Sequence, residues 1–229
     1  MTSGNGSLQP LEAVLFDMDG TLVETEHLWD RSLELLAEQL GGRMSDDVRP
    51  AMVGVSVAAS LQLLYADLGV SRTDSENVAD ERYLVATTRA QVEAGVRYRP
   101  GARELLTAAR AAGLATALVT STERSLTDVV LGHVGAHLFD VTVCGDEVPA
   151  TKPDPAPYLQ AAAALGVRPT RCLVVEDSRT GAAAGLAAGA TVLGVPTLQP
   201  LEPQDGLVVR ETLAGLTVAD LTELVLARV

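Results

Sequence analysis

Ala13-Val-Leu-Phe16 runs directly into Asp17-Met-Asp-Gly-Thr21. Four apolar residues closed by a polar, turn-prone segment predict a fully buried strand ending in a loop that carries two carboxylates. The same arrangement recurs downstream. Ala115-Thr-Ala-Leu-Val119 ends in Thr120-Ser-Thr122, and Val141-Thr-Val-Cys144 leads through Gly145-Asp146 to Lys152-Pro153. Cys172-Leu-Val-Val175 ends in Glu176-Asp-Ser178, and Thr191-Val-Leu-Gly-Val195 is a fifth strand. Helical segments separate them: Ala102 to Ala112, about Ser125 to Leu131, Pro155 to Leu165, and a small-residue helix after Ser178. Thr217 and Asp220 form a Thr-x-x-Asp cap before a last helix, Leu221 to Ala227. Strands alternating with helices predict a parallel sheet covered on both faces, an α/β core of Rossmann type.

Between Leu22 and Glu93 no convincing strand appears. Glu26 to Leu40 reads as a helix, with Leu28, Leu35, Leu36 and Leu40 at roughly helical spacing, stopped by Gly41-Gly42. Leu61, Leu63, Leu64 and Leu68 make a second apolar stripe closed by Gly69, and Arg72 to Ala94 is charged and helix-favouring. The expected organisation is therefore a core of residues 11–22 and 94–229, a helical insert of residues 23–93, and a disordered polar leader of residues 1–10.

Hydrophobic residues make up 47% and aromatics only 3%, which suits helices packed on a Val-rich sheet. The net charge of -13 argues against a nucleic-acid binder or an anionic membrane surface as partner. Cys144 and Cys172 read as small buried hydrophobes in a reducing cytoplasm. Residues 182–195 are apolar except for Thr191 but too short to span a bilayer. Gly181, Gly185 and Gly189 there read as a small-residue helix face packed closely on the sheet.

In an open parallel sheet, ligands bind beyond the carboxyl ends of the strands. There the sequence places Asp17 and Asp19, Thr120, Lys152, and Glu176 with Asp177. Two acidic pairs, one hydroxyl and one lysine suit phosphoryl transfer. A carboxylate such as Asp17 can attack phosphorus and divide one difficult displacement into two easier ones. Anion meeting anion requires a cation between them, and Mg²⁺ takes oxygen ligands of the kind Asp17 and Asp177 offer. Lys152, Thr120 and backbone N–H groups near Gly20 and Ser121 suit the remaining phosphate oxygens. Asp19 is left for acid–base work.

Asp17-Met-Asp-Gly-Thr21, Thr120, Lys152-Pro153 and Glu176-Asp177 resemble, in order and placement, the four motifs of the haloacid dehalogenase (HAD) superfamily. The insert after the first motif resembles the subfamily with a small α-helical cap, which includes β-phosphoglucomutases, phosphoglycolate phosphatases and sugar-phosphate phosphatases. The resemblance implies a HAD-like core with a helical cap. It implies a nucleophile at Asp17, an acid/base at Asp19, phosphate contacts at Thr120, Ser121 and Lys152, and Mg²⁺ held by Asp17, Asp177 and the Asp19 main-chain carbonyl. Glu176 is implied to stand behind these ligands. The implied activity is hydrolysis of a small phosphate ester: a sugar or polyol phosphate, or a phosphoglycolate-like compound.

Asp19 favours phosphate esters over haloacids, whose dehalogenases lack that residue. Two departures favour hydrolysis over mutase chemistry. Trp29 stands where the mutases carry a hinge histidine, and Val57 follows Gly54-Val-Ser56 where they carry an arginine. The alternatives are a β-phosphoglucomutase-like phosphomutase and a non-catalytic binding protein of the same fold. Trp29, the loop at Gly54 and Arg82 are candidates for substrate contact, although Arg82 and Arg89 also read as solvated helix charges. Glu24 and Glu26 read as acids at a helix N-terminus. The expected partner is a small molecule, and the expected state a monomer or weak homo-oligomer.

Overall fold

The computed structural model describes residues 11–227; the leader of residues 1–10 lies outside them. Six strands form one parallel sheet: β1 (Ala13–Phe16), β2 (Ala115–Val119), β3 (Val141–Val143), β4 (Cys172–Glu176), β5 (Thr191–Gly194) and β6 (Leu207–Val209). Their order is β3-β2-β1-β4-β5-β6. The chain leaves β1 for β2 on one side and later reaches β4 on the other, so β1 lies at the topological switch point. Phe16 pairs with both Leu118 and Val175, which brings the ends of β1, β2 and β4 level.

Alternation along the strands supplies both faces of the core. Val14, Phe16, Leu118, Leu173 and Val175 point to one side. There they meet α4 (Ala102–Ala111), α5 (Arg124–Val134) and α8 (Val218–Leu226). Ala13, Leu15, Ala117, Val119 and Val174 point to the other, against α6 (Ala156–Leu165) and α7 (Arg179–Ala187). Each fully buried Leu, Val or Phe contributes about 1.5–3 kcal/mol relative to exposure. The second face is lined with Ala and Gly, so α7 sits close. A Cβ at Gly185 would lie 2.9 Å from Val192 and 3.1 Å from Val174. Gly181 faces the Glu176 side chain instead, and Gly189 (φ +87°) lies beyond the helix end.

Between β1 and α4 lie α1 (Glu26–Gln39), α2 (Val57–Leu68) and α3 (Asp74–Glu93), without a named strand among them. They share a hydrophobic cluster of their own, centred on Leu33, Leu36, Leu61, Leu64 and Leu84. Polar ties hold them together. The Tyr65 hydroxyl donates to Asp80 at 2.9 Å, Arg72 Nε reaches the same carboxylate at 2.8 Å, and the Thr88 hydroxyl donates to Ser32 at 2.8 Å. Thr73 and Glu76 form a capping box at the start of α3.

Several elements differ from the sequence reading; α5, for one, runs on to Val134 rather than ending at Leu131. β6 was not anticipated: it has three residues, and only Leu207 is buried. α8 begins three residues earlier than expected, because Thr217 is the N-cap and Asp220 lies inside the first turn, closing the capping box from there. Cys144 and Cys172 are buried free thiols. Among the described residues, no helix is long and apolar enough to cross a membrane.

Candidate active site

The segment after β1 is held by its own backbone. The Asp17 N–H donates to Val175 O at 3.0 Å, and the Leu22 and Val23 N–H groups both return to Met18 O. The turn needs a positive φ at Gly20 (+73°), and a Cβ there would overlap the Asp177 carboxylate. The chain thus passes closely over the end of β4.

Lys152 arrives from the loop after β3 and is buried at 3% exposure. Its Nζ donates to Asp17 Oδ1 at 2.7 Å, Glu176 Oε1 at 2.6 Å and Val119 O at 2.9 Å. Glu176 is saturated by protein donors. The Tyr158 hydroxyl donates to Oε1 at 2.7 Å, and the Ser178 hydroxyl donates to Oε2 at 3.0 Å. Asp177 accepts from the Thr197 hydroxyl and, at 3.5 Å, from that of Thr21. Asp17 Oδ2 takes no hydrogen bond from the described residues, and Asp17 lines the cavity above the sheet edge.

The electrostatics are unbalanced. Oxygens of Asp17, Glu176 and Asp177 all lie within 4.8 Å of one another, three carboxylates against one ammonium. Burial, then the Glu176 charge, push the Asp17 carboxyl up to about 7 against the pull of Lys152. Burial and the charges of Asp17 and Glu176 hold Asp177 well above the usual carboxylate range. Burial works against the Lys152 ammonium, but Asp17 and Glu176 outweigh it and hold its pKa above that of ordinary lysine. Such a dry, oxygen-only, over-acidic pocket fits a hard divalent cation. With Glu176 occupied, Asp17 and Asp177 are the side chains positioned to hold it.

Asp19 faces the cavity among hydroxyl and indole donors. Thr25 Oγ1 donates to Oδ1 at 2.6 Å, Trp29 Nε1 to Oδ1 at 3.1 Å, and Thr122 Oγ1 to Oδ2 at 2.7 Å. Thr120 Oγ1 stands 3.5 Å from Oδ2 and accepts the Thr122 N–H at 3.0 Å. The Ser121 hydroxyl donates to Gly54 O at 3.1 Å, and Thr180 Oγ1 reaches Val53 O at 3.4 Å. The loop before α2 is therefore clasped onto the sheet edge. A Cβ at Gly54 (φ +73°) would overlap the Ser178 hydroxyl.

Of the residues singled out in the sequence, Asp17, Asp19, Trp29, Gly54, Thr120 and Ser121 line one cavity. Lys152, Glu176 and Asp177 do not line it; they are buried and adjoin it through Asp17. Arg82 does not join them; it lies on a separate groove with Val78, Glu81 and Arg89. Glu26 is more than a helix-end acid, since it pairs with Arg49 and both line the cavity. Arg49, Tyr158 and Thr197 were missed. Arg49 sits in a polar connection with no periodic signal, and Tyr158 lies within the small-residue helix Ala156–Leu165, where no local pattern marks it. Thr122 belonged to a quoted strand end but was given no role.

Gly181 offers a test of this packing. Ala in a helix is normally worth up to about 1 kcal/mol over Gly. Here the new Cβ would run into the Glu176 carboxylate. Gly181→Ala is expected to destabilise by about 1–3 kcal/mol, the usual cost of overpacking, read as a lower midpoint in urea.

Residues 11–189 match the family model described as haloacid dehalogenase-like hydrolase. Protein CbbY of Rhodobacter capsulatus is 33% identical over 200 residues, covering 82% of this chain and 86% of that protein. Hexitol phosphatase B of Escherichia coli K12 is 31% identical over 215 residues, covering 93% of each. The crystal structure of CbbY from Rhodobacter sphaeroides in complex with phosphate superposes with a TM-score of 0.79 at 26% identity, covering 90% of this chain and 96% of that one.

Proposed function

Since this chain belongs to the haloacid dehalogenase-like hydrolases, we propose that it is a Mg²⁺-dependent phosphatase of small phosphorylated metabolites, with Asp17 as nucleophile. Its relatives make it a phosphoric monoester hydrolase. The observation that carries the finer reading is the meeting of Asp17, Lys152 and Asp177 beside a cavity that Asp17 and Asp19 line.

Asp17 Oδ2 attacks phosphorus while the bond to the substrate's bridging oxygen breaks. Asp19 gives that oxygen its proton, and the alcohol leaves. Asp19 then takes a proton from water as the water oxygen attacks phosphorus, and the Asp17–phosphorus bond breaks to release phosphate. Lys152 balances the Asp17 charge, and Thr120 with the N–H groups near Gly20 and Ser121 donates to the phosphoryl oxygens. Mg²⁺ held by Asp17, Asp177 and the Asp19 carbonyl would neutralise charge between nucleophile and phosphate. The helices of residues 23–93 act as a cap that excludes bulk water and lifts for release.

Phosphate release from a panel of sugar, polyol and glycolate phosphates tests this. EDTA is expected to lower turnover at least ~100-fold, with recovery on excess Mg²⁺, on the scale of a lost electrostatic clamp. EDTA-resistant hydrolysis would remove the metal from the account. Silence across the whole panel would favour the binding-protein alternative.

A further inference from the structure

We infer that the alcohol released by this site carries no second anionic group, so that monophosphates of neutral alcohols are the substrates and bisphosphates or carboxylate-bearing phosphates are not. The inference rests on the hydrolase reading above. It comes from the wall of the cavity opposite the nucleophile.

That wall is built by the helices between β1 and α4. It presents Trp29, Leu33, Met52, Val55, Val57 and Leu84, all apolar in body. Arg49 is the one cation among the residues lining the cavity. Its Nε and Nη2 are already committed. One nitrogen pairs with the Glu26 carboxylate and reaches Glu26 O at 3.4 Å, and Nε pairs with Asp30. Arg49 is largely buried, with 12% of its side chain exposed. Two acids on one guanidinium leave a net negative charge where a second phosphate or a carboxylate would have to sit. Lys152 is no substitute, because its three donor contacts face Asp17, Glu176 and Val119 O.

A second anion reaching Arg49 would meet a cation whose charge two carboxylates already share, so its own charge would go uncompensated. Sites discriminate most strongly against a group that strands buried charge or polar atoms.

The full chain with Mg²⁺ is to be assayed on matched pairs: glycerol phosphate against phosphoglycerate, and a hexose monophosphate against its bisphosphate. The neutral-alcohol partner of each pair is expected to show at least about tenfold higher kcat/KM. Asp30→Asn leaves Arg49 with one partner and is expected to shrink the glycerol phosphate to phosphoglycerate ratio at least about threefold, mainly through a lower KM for phosphoglycerate. Preference for the doubly anionic partner in either pair would overturn the inference, as would an unchanged ratio in Asp30→Asn. If no ester, including p-nitrophenyl phosphate, releases phosphate, the hydrolase reading falls and takes the inference with it. Hydrolysis with the wrong preference sinks the inference alone.

Discussion

Asp17→Asn is expected to abolish phosphate release, with kcat falling at least ~10⁴-fold, the scale seen when a nucleophile is removed. The amide keeps the shape of the carboxylate and can still accept from Lys152. Its oxygen cannot attack phosphorus usefully at neutral pH. The fold is expected to survive, and pH separates lost chemistry from lost structure. Burial and the Glu176 charge hold Asp17 up to about 7, above its unfolded value. A carboxyl raised in the folded state binds its proton more tightly there, so this group costs stability as pH rises from about 4 towards 7. In EDTA at pH 8 the variant should therefore melt above the native protein, and the gap should close as pH falls below 7. A variant that melts lower at pH 8, or that keeps substantial turnover, contradicts this placement of Asp17.

Lys152→Ala is expected to damage both activity and stability. The ammonium is buried between Asp17 and Glu176, with side-chain exposures of 1%, 9% and 0% for the three. Removing one partner of a buried ion pair leaves the other charge without compensation and typically costs about 3–5 kcal/mol. Two carboxylates lose their counter-charge here, and Asp177 lies beside them. The denaturation midpoint should fall accordingly, and kcat should drop at least ~10³-fold, since removing even one oxyanion donor costs about 10²–10³. Arginine should not rescue, because its planar fork cannot occupy a point-charge site walled by Tyr158 at 5.0 Å from Nζ. A well-folded, active Lys152→Ala protein would mean that the acidic pocket balances itself by another route.

The sequence reading went furthest where a single force dominates. The limits of β1 and β2 were legible because a short apolar run between polar turns has one outcome in a covered parallel sheet. The strand-end residues were legible for the same reason, since topology alone carries them to one edge. β6 was not, because Leu207–Val209 is a three-residue edge strand whose pairing depends on β5. The wall of the cavity was also hidden. In α3 the buried residues Asp80, Leu84, Thr88 and Val92 recur every fourth position, and Leu84 reaches the cavity. Arg82 is two residues from that stripe, which turns it to a different side of the helix. Charge pairing between Arg49, Glu26 and Asp30 joins residues up to 23 apart, and no local pattern announces it.

Trp29 donates its indole N–H to Asp19, and it is the chain's single tryptophan. Its emission therefore reports from one place only, the junction between Asp19 and the helices that carry Trp29. If those helices lift as proposed, the indole would lose a carboxylate partner and meet solvent, so intensity and wavelength should shift together. Stopped-flow fluorescence on the unlabelled protein can then time opening and closing separately from phosphate release, and show which of the two paces turnover.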